Sequence, residues 1–226
     1  KILKSVVEGR SKLYLFLTAH ENGNLGIAYT EIGDFKMALS HYDKVRNIFS
    51  DMGNDLLCAM VDSDSAIVYL LMDEPGTALD KLSPSLEIFN KHGAKSSLAK
   101  YSVVQVEALI DLERYKEAEK SISTALKFAK EIDDKDLILI SKLLHAVILF
   151  HIGDDIMSFN GIADKLLESS NSDEIRGRIY YEKWKIDQTE DSKEKALKIY
   201  TKLKRTLNRF KDSKIFNHLS SNPTKV

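Results

Sequence analysis

The stretch Gly33-Asp34-Phe35-Lys36-Met37-Ala38-Leu39-Ser40-His41-Tyr42 decides how this chain is read, because its landmarks return every 40 residues. The second copy carries Asp73-Glu74-Pro75, Ala78 and Leu82, and the third carries Glu113-Arg114-Tyr115, Ala118 and Ile122. Gly153-Asp154, Ser158 and Ile162 stand in the fourth. The small residue falls at Ala38, Ala78, Ala118 and Ser158, so the spacing predicts copies joined without an insertion. A period of roughly 20–50 residues marks a repeat array, in which each unit buries its apolar face only against its neighbours.

Between these landmarks apolar residues recur at helical spacing, and strand-like alternation is absent. Each copy therefore predicts two antiparallel helices. The first pair is Lys12–Ile32 and Phe35–Asp51, ended by Gly53; the second is Asp55–Met72 and Gly76–His92, ended by Gly93. Glycine after the last helical turn is a common stop. The third pair is Lys95–Leu112 and Lys116–Ile132, and the fourth is Asp136–Ile152 and Asp155–Glu168. A fifth, divergent copy spans Asp173–Ile186 and Ser192–Phe210, with Ala196 in the small slot. Residues 1–11 are expected to hold an orphan helix (Ile2 to Val7), residues 12–212 the array, and residues 213–226 a tail whose Ile215, Phe216 and Leu219 could fold back. Pro84 should kink its helix. Asn22-Gly23-Asn24 is a turn signal that the 40-residue register overrides.

The chain has 33 basic and 34 acidic residues in 226, a balance that argues neither for nucleic acid nor for an acidic surface. One cysteine, Cys58, rules out a disulfide framework and a thiolate zinc cluster and fits a reducing, cytoplasmic setting. The most apolar segment, Leu137 to Ile152, is interrupted by Lys142, His145 and His151 and is too short to span a bilayer. The first residue is Lys1, and we expect further sequence upstream in the full protein.

These residues resemble the tetratricopeptide repeat family. Leu25-Gly26-x2-Tyr29, then Gly33-Asp34-Phe35 and Ala38-x3-Tyr42, follow its pattern, with Asn22 in the tryptophan slot. Ala66 and Ala146 keep the small residue of the first helix, and Tyr69, Leu109 and Leu149 its apolar face. The commonest unit is ~34 residues long, so this chain resembles the longer type found in regulatory domains of signalling ATPases and transcription activators. The resemblance implies an all-α, right-handed solenoid of about five hairpins (a superhelix) whose first helices line a concave groove. It implies a non-catalytic scaffold for a peptide or protein segment, or the sensor part of a larger regulator.

Carried over position by position, the resemblance places Asn24, Ile27, Ile67, Leu71, Val104, Glu107, Leu143, Val147 and Phe150 on that groove, with Arg178, Tyr181, Glu182, Lys185 and Gln188 from the fifth copy. The helix around Leu143 is apolar nearly all round. Either a ligand covers Val104, Leu143, Val147 and Phe150, or a tighter superhelix buries them itself. No spacing suited to catalysis appears: no glycine-rich phosphate loop, no paired metal-binding histidines, no nucleophile elbow. We therefore expect no enzyme, no cofactor and no metal. Asp133-Asp134-x-Asp136 reads as a helix cap. The basic run from Lys193 to Lys214 lacks interleaved aromatics, which argues against nucleic acid. A homodimer through the apolar end or the groove stays open.

Overall fold

A computed structural model describes the backbone of residues 2–222 and the side chains of residues 11–222. Among the described residues 11 helices follow one another and no strand occurs. They are α1 (Ile2–Ile32), α2 (Phe35–Asp51), α3 (Asp55–Leu71), α4 (Pro75–Lys91), α5 (Lys95–Asp111) and α6 (Tyr115–Glu131). Then come α7 (Lys135–Ile152), α8 (Ile156–Ser169), α9 (Asp173–Asp187), α10 (Glu190–Thr206) and α11 (Phe210–Ser221). The chain forms two compact units, Lys1–Ala94 with α1–α4 and Lys95–Val226 with α5–α11. Within each unit consecutive helices pack together. The all-α class and the hairpin repeat therefore hold.

The turns explain the hairpins. Just after α1, α3, α5 and α7 one residue takes a left-handed backbone: Gly33 (φ 84), Asp73 (φ 61), Glu113 (φ 57) and Gly153 (φ 133). The next amide then donates back to a carbonyl in the last helical turn, Asp34 to Tyr29 (2.9 Å), Glu74 to Tyr69 (2.8 Å), Arg114 to Leu109 (2.8 Å) and Asp154 to Leu149 (3.0 Å). This is the bond that satisfies orphan carbonyls at a helix end. Side-chain caps start the following helices: Asp34 accepts from the Met37 amide at 3.1 Å and Asn54 from Leu57 at 3.0 Å. Asp134 accepts from Leu137 at 2.9 Å, so the acidic run contains the cap expected of it, while Asp133 (φ 53) makes the preceding turn.

Small residues sit where paired helices cross. Ala38, Ala66, Ala78 and Ala118 are fully buried. Gly26 of α1 is the tightest case: a Cβ there would lie 2.6 Å from the Tyr42 ring, and that ring is buried on α2. Gly26→Ala should therefore lower stability by about 1–2 kcal/mol, although alanine is the better helix former. Gly23→Ala, which meets nothing within 4 Å, should raise it by about 0.5–1 kcal/mol. Thermal melts of the two variants check both signs. Helix α1 runs unbroken through Asn22-Gly23-Asn24. The Asn22 amide donates to the Thr18 carbonyl (2.8 Å), and its oxygen bonds His41 Nδ1 (2.8 Å).

Three expectations change. The break predicted near residue 11 is absent, since α1 is one helix from Ile2 to Ile32. The fourth copy slips by one residue: Ser158 is exposed, and Phe159 and Ala163 are the buried pair. Ala38 and Tyr42 of α2 are thereby matched by a large residue followed by a small one, an exchange that conserves total volume. Residues 213–221 are not a tail but belong to α11, because Asn208 (φ 47) ends α10 and the chain restarts at Phe210; residues 223–226 lie outside the described ones. Helix α4 continues through Pro84, which is exposed, so water can serve the carbonyl that loses its donor.

Candidate functional site

In the unit Lys95–Val226 the odd helices approach one another directly, α5 with α7 and α7 with α9. No comparable packing joins α6 to α8 or α8 to α10 among the described residues. In a curved array the helices that touch lie on the inside, so α5, α7 and α9, with α11 following, form the inner face of this unit.

That face is charged. Arg178 of α9 reaches Glu107 of α5, Nη1 to Oε1 at 2.6 Å, with both side chains mostly buried. Burial opposes the charge on Arg178, but the Glu107 and Glu182 carboxylates outweigh it and hold the guanidinium more firmly protonated than usual. Lys185 repeats the pattern two turns on, 3.0 Å from Glu182. Burial again opposes its charge and Glu182 overcomes it. Aromatic rings close one end. His151 stacks on Tyr115 with centroids 4.4 Å apart, and Tyr181 bonds His218 Nδ1 at 2.7 Å and sits edge-on to Tyr200. Burial pushes the Tyr181 hydroxyl up to about 12.

The histidines give the face a pH signature. Burial, then the nearby Lys185 ammonium, lowers the pKa of both His151 and His218. The folded state thus prefers them neutral and binds fewer protons than the unfolded chain. Their contribution is complete above the ordinary histidine value of ~6.5 and is lost as pH falls through the lower folded values. Urea midpoints should drop between about pH 7 and about pH 5, and the slope should flatten in His151→Gln. A flat profile in the parent protein would contradict this placement.

The residues chosen from sequence divide into three groups. Glu107, Arg178, Tyr181, Glu182 and Lys185 come together on the inner face. Val104, Leu143 and Val147 do not belong to an open surface: they are 8%, 1% and 2% exposed. This corrects the reading in which a ligand covers them. Helix α7 is apolar all round because α5, α6, α8 and α9 pack against it from every side. Leu143 and Val147 share a core with Phe159, Ala163, Ile175 and Ile179, and Phe150 packs on its edge. Replacing Phe150 with Glu would thus strike the fold as well as any ligand. Gln188 serves as a left-handed cap whose amide binds the Trp184 and Lys185 carbonyls. In the other unit, Asn24 is exposed and lies 3.3 Å from His20 Nδ1, Ile27 is exposed, and Ile67 and Leu71 are half-buried on α3.

Lys211 of α11 was read only as part of a basic run. Much of that run is engaged: Lys195 with Asp191, Lys202 with Asp173, and Arg209 with Glu174 and Asp212. Lys211 instead is exposed and lies within electrostatic reach of Arg178 and Glu107. Nothing in the sequence signalled this, because it depends on where α11 docks. Among the described residues no group of three or more His, Cys, Asp or Glu could hold a metal ion, and no helix is long and apolar enough to cross a membrane.

These features define a helical-repeat array with a polar, aromatic-edged inner face. Among solved structures, its fold is shared with a Rap protein complexed with competence and sporulation factor: 15% identity, 90% of this chain, 57% of that one, TM-score 0.69. It is similar to the Rap conjugation gene regulator of the plasmid pLS20 in complex with the Phr* peptide: 15% identity, 94% of this chain, 59% of that one, TM-score 0.71. The apo form of RapI matches at 14% identity over 89% of this chain and 73% of that one, TM-score 0.63. This chain thus spans 57% and 59% of the first two proteins' lengths. No family model and no curated protein matches the sequence.

Proposed function

We propose that the inner face of the unit Lys95–Val226 binds a peptide or extended protein segment without catalysis, in the manner of a long tetratricopeptide-type repeat, as part of a larger cytoplasmic regulator. The observation that carries this is the charged and aromatic set on the odd helices: exposed Lys185, His151 and Lys211, half-buried Tyr181 and the rim of the Glu107–Arg178 pair. Such a surface offers alternating donors, acceptors and ring faces to a backbone and its side chains. Two proteins of the same fold support it, one a gene regulator in complex with a peptide and one complexed with competence and sporulation factor. A buried, apolar α7 floor stiffens the face, which lowers the ordering cost of binding.

Selection of a randomised short-peptide library on the native chain tests the proposal. Enriched peptides should lose about tenfold in affinity in Lys185→Met, with helix content unchanged. Equal binding by the two proteins, or no enrichment over bare resin, would overturn it. Self-association is a second reading, favoured by α1, where Leu13, Tyr14, Phe16 and Leu17 are 58%, 70%, 47% and 52% exposed. Light scattering across a concentration series decides it: a dimer lost in Leu17→Lys supports it, and a monomer throughout removes it.

A further inference from the structure

The turns that join odd to even helices carry a large apolar residue in one slot of each of the first four copies. In the unit Lys95–Val226 the slot holds Leu112, just after α5, and Ile152, the last residue of α7, and both are exposed. In the other unit it holds Ile32 and Met72, again exposed. The start of α8 adds Ile156 and Met157, the latter 82% exposed. Tyr115 and His151 stack with centroids 4.4 Å apart and rings nearly parallel, which joins the α5–α6 turn to the α7–α8 turn. The apolar side chains of the two turns thus form one edge of this unit.

The edge is rimmed by acid. Residues 111–117 and 151–157 hold five carboxylates, Asp111, Glu113, Glu117, Asp154 and Asp155, against the two cations Arg114 and Lys116, a net −3 in a chain whose total is −1. Two neighbouring ion pairs leave that balance unchanged: Arg114 is held by Glu117 at 2.7 Å, and Lys185 by Glu182 at 3.0 Å. Exposed apolar side chains inside a charged rim mark an interaction surface, and the sign of this rim selects a basic partner. The turn amides bond carbonyls of their own helices, Glu113 to Ile110 at 2.9 Å and Arg114 to Leu109 at 2.8 Å. A strand would find no backbone ladder to join here, whereas a helix brings its backbone bonds already made. The spacing fits as well. Helices α5 and α7 pack directly, packed helices lie about 8–10 Å apart, and seven residues of a helix rise about 10 Å.

We propose that this edge docks a basic amphipathic helix of a partner protein, apolar at i, i+3 or i+4 and i+7. Leu112 receives the first apolar residue, the Tyr115–His151 stack the middle one, and Ile152 with Met157 the last. The partner's lysines or arginines lie over Glu113 and Asp154. The site goes beyond the peptide face proposed above and shares only His151 with it.

Three synthetic peptides test this on the full chain by fluorescence anisotropy. One carries leucines at helical spacing among lysines. The second has the same composition with leucines at every other position, and the third has glutamates in place of the lysines. The first should bind at least about tenfold more tightly than either control, and less tightly as salt is raised. Met157→Lys and the pair Glu113→Gln with Asp154→Asn should each weaken it about tenfold with helix content unchanged, because all three side chains are exposed. Equal binding of the first two peptides, tight binding of the glutamate peptide, or undiminished binding by the variants would overturn the proposal. So would a dimer of the native chain that Met157→Lys dissolves, since a second copy would then be the occupant. Library-selected peptides keep the two surfaces apart. If they bind Met157→Lys as they bind the native chain while the leucine–lysine helix does not, both surfaces stand. If they and the helix are lost together in Met157→Lys, the separate edge site falls.

Discussion

Phe159→Ala is expected to lower the unfolding free energy by about 3–5 kcal/mol, the range for removing a large aromatic from a packed core. Phe159 is 1% exposed and shares its cluster with Leu143, Val147, Ile175 and Ile179, with Phe150 6.2 Å away ring to ring. The slot it fills is the one that alanine fills in the first three copies, so its neighbour Ala163 leaves the room the ring needs. Truncating the ring alone leaves two small residues facing one cavity, and the helices cannot close it without breaking the α7–α8 turn. Urea unfolding should show a lower midpoint. The double variant Phe159→Ala with Ala163→Phe, which restores the order found in α2, should recover part of the loss. If Phe159→Ala costs less than about 1 kcal/mol, the slipped register is wrong.

Glu107→Gln is expected to destabilise the same unit by about 2 kcal/mol, less than a fully dry pair would, because the two side chains keep 17% and 27% exposure. The loss comes from what remains. Without Glu107, Arg178 and Lys211 are two cations on one face, and Glu182 is already shared with Lys185. Arg178→Met in the same background should remove that repulsion and return much of the stability. A double-mutant cycle should report a coupling of about 1–3 kcal/mol, largely insensitive to moderate salt. Additive single effects would mean that the two side chains do not act as a pair.

The repeat was legible because its cause is local and steric. A helix crossing demands a small residue, and a left-handed turn demands glycine or a polar residue that tolerates it, so Ala38, Ala78 and Ala118 and the turns at Gly33, Asp73 and Glu113 keep the same spacing. The slip in the fourth copy was hidden because Ser158 is small and stands in the expected place, while the compensating exchange of Phe159 and Ala163 is visible only once the helices are packed. The end of α10 was missed because Asn208 and Arg209 carry no proline or glycine to announce a break. Glu107 and Arg178 were placed on the groove separately, but their meeting across α7 depends on how tightly this unit curves, which periodicity does not encode. The same curvature buried Leu143 and Val147, turning residues chosen for a ligand into core.

Hydrogen–deuterium exchange of the chain with and without its library-selected peptides tests the central claim most directly. Binding on the inner face of the unit Lys95–Val226 should protect the exposed turns of α5, α7, α9 and α11 around Glu107, His151, Lys185 and Lys211 and leave α6, α8 and α10 unchanged. Protection centred on α6, α8 and α10, or confined to α1–α4, would contradict it.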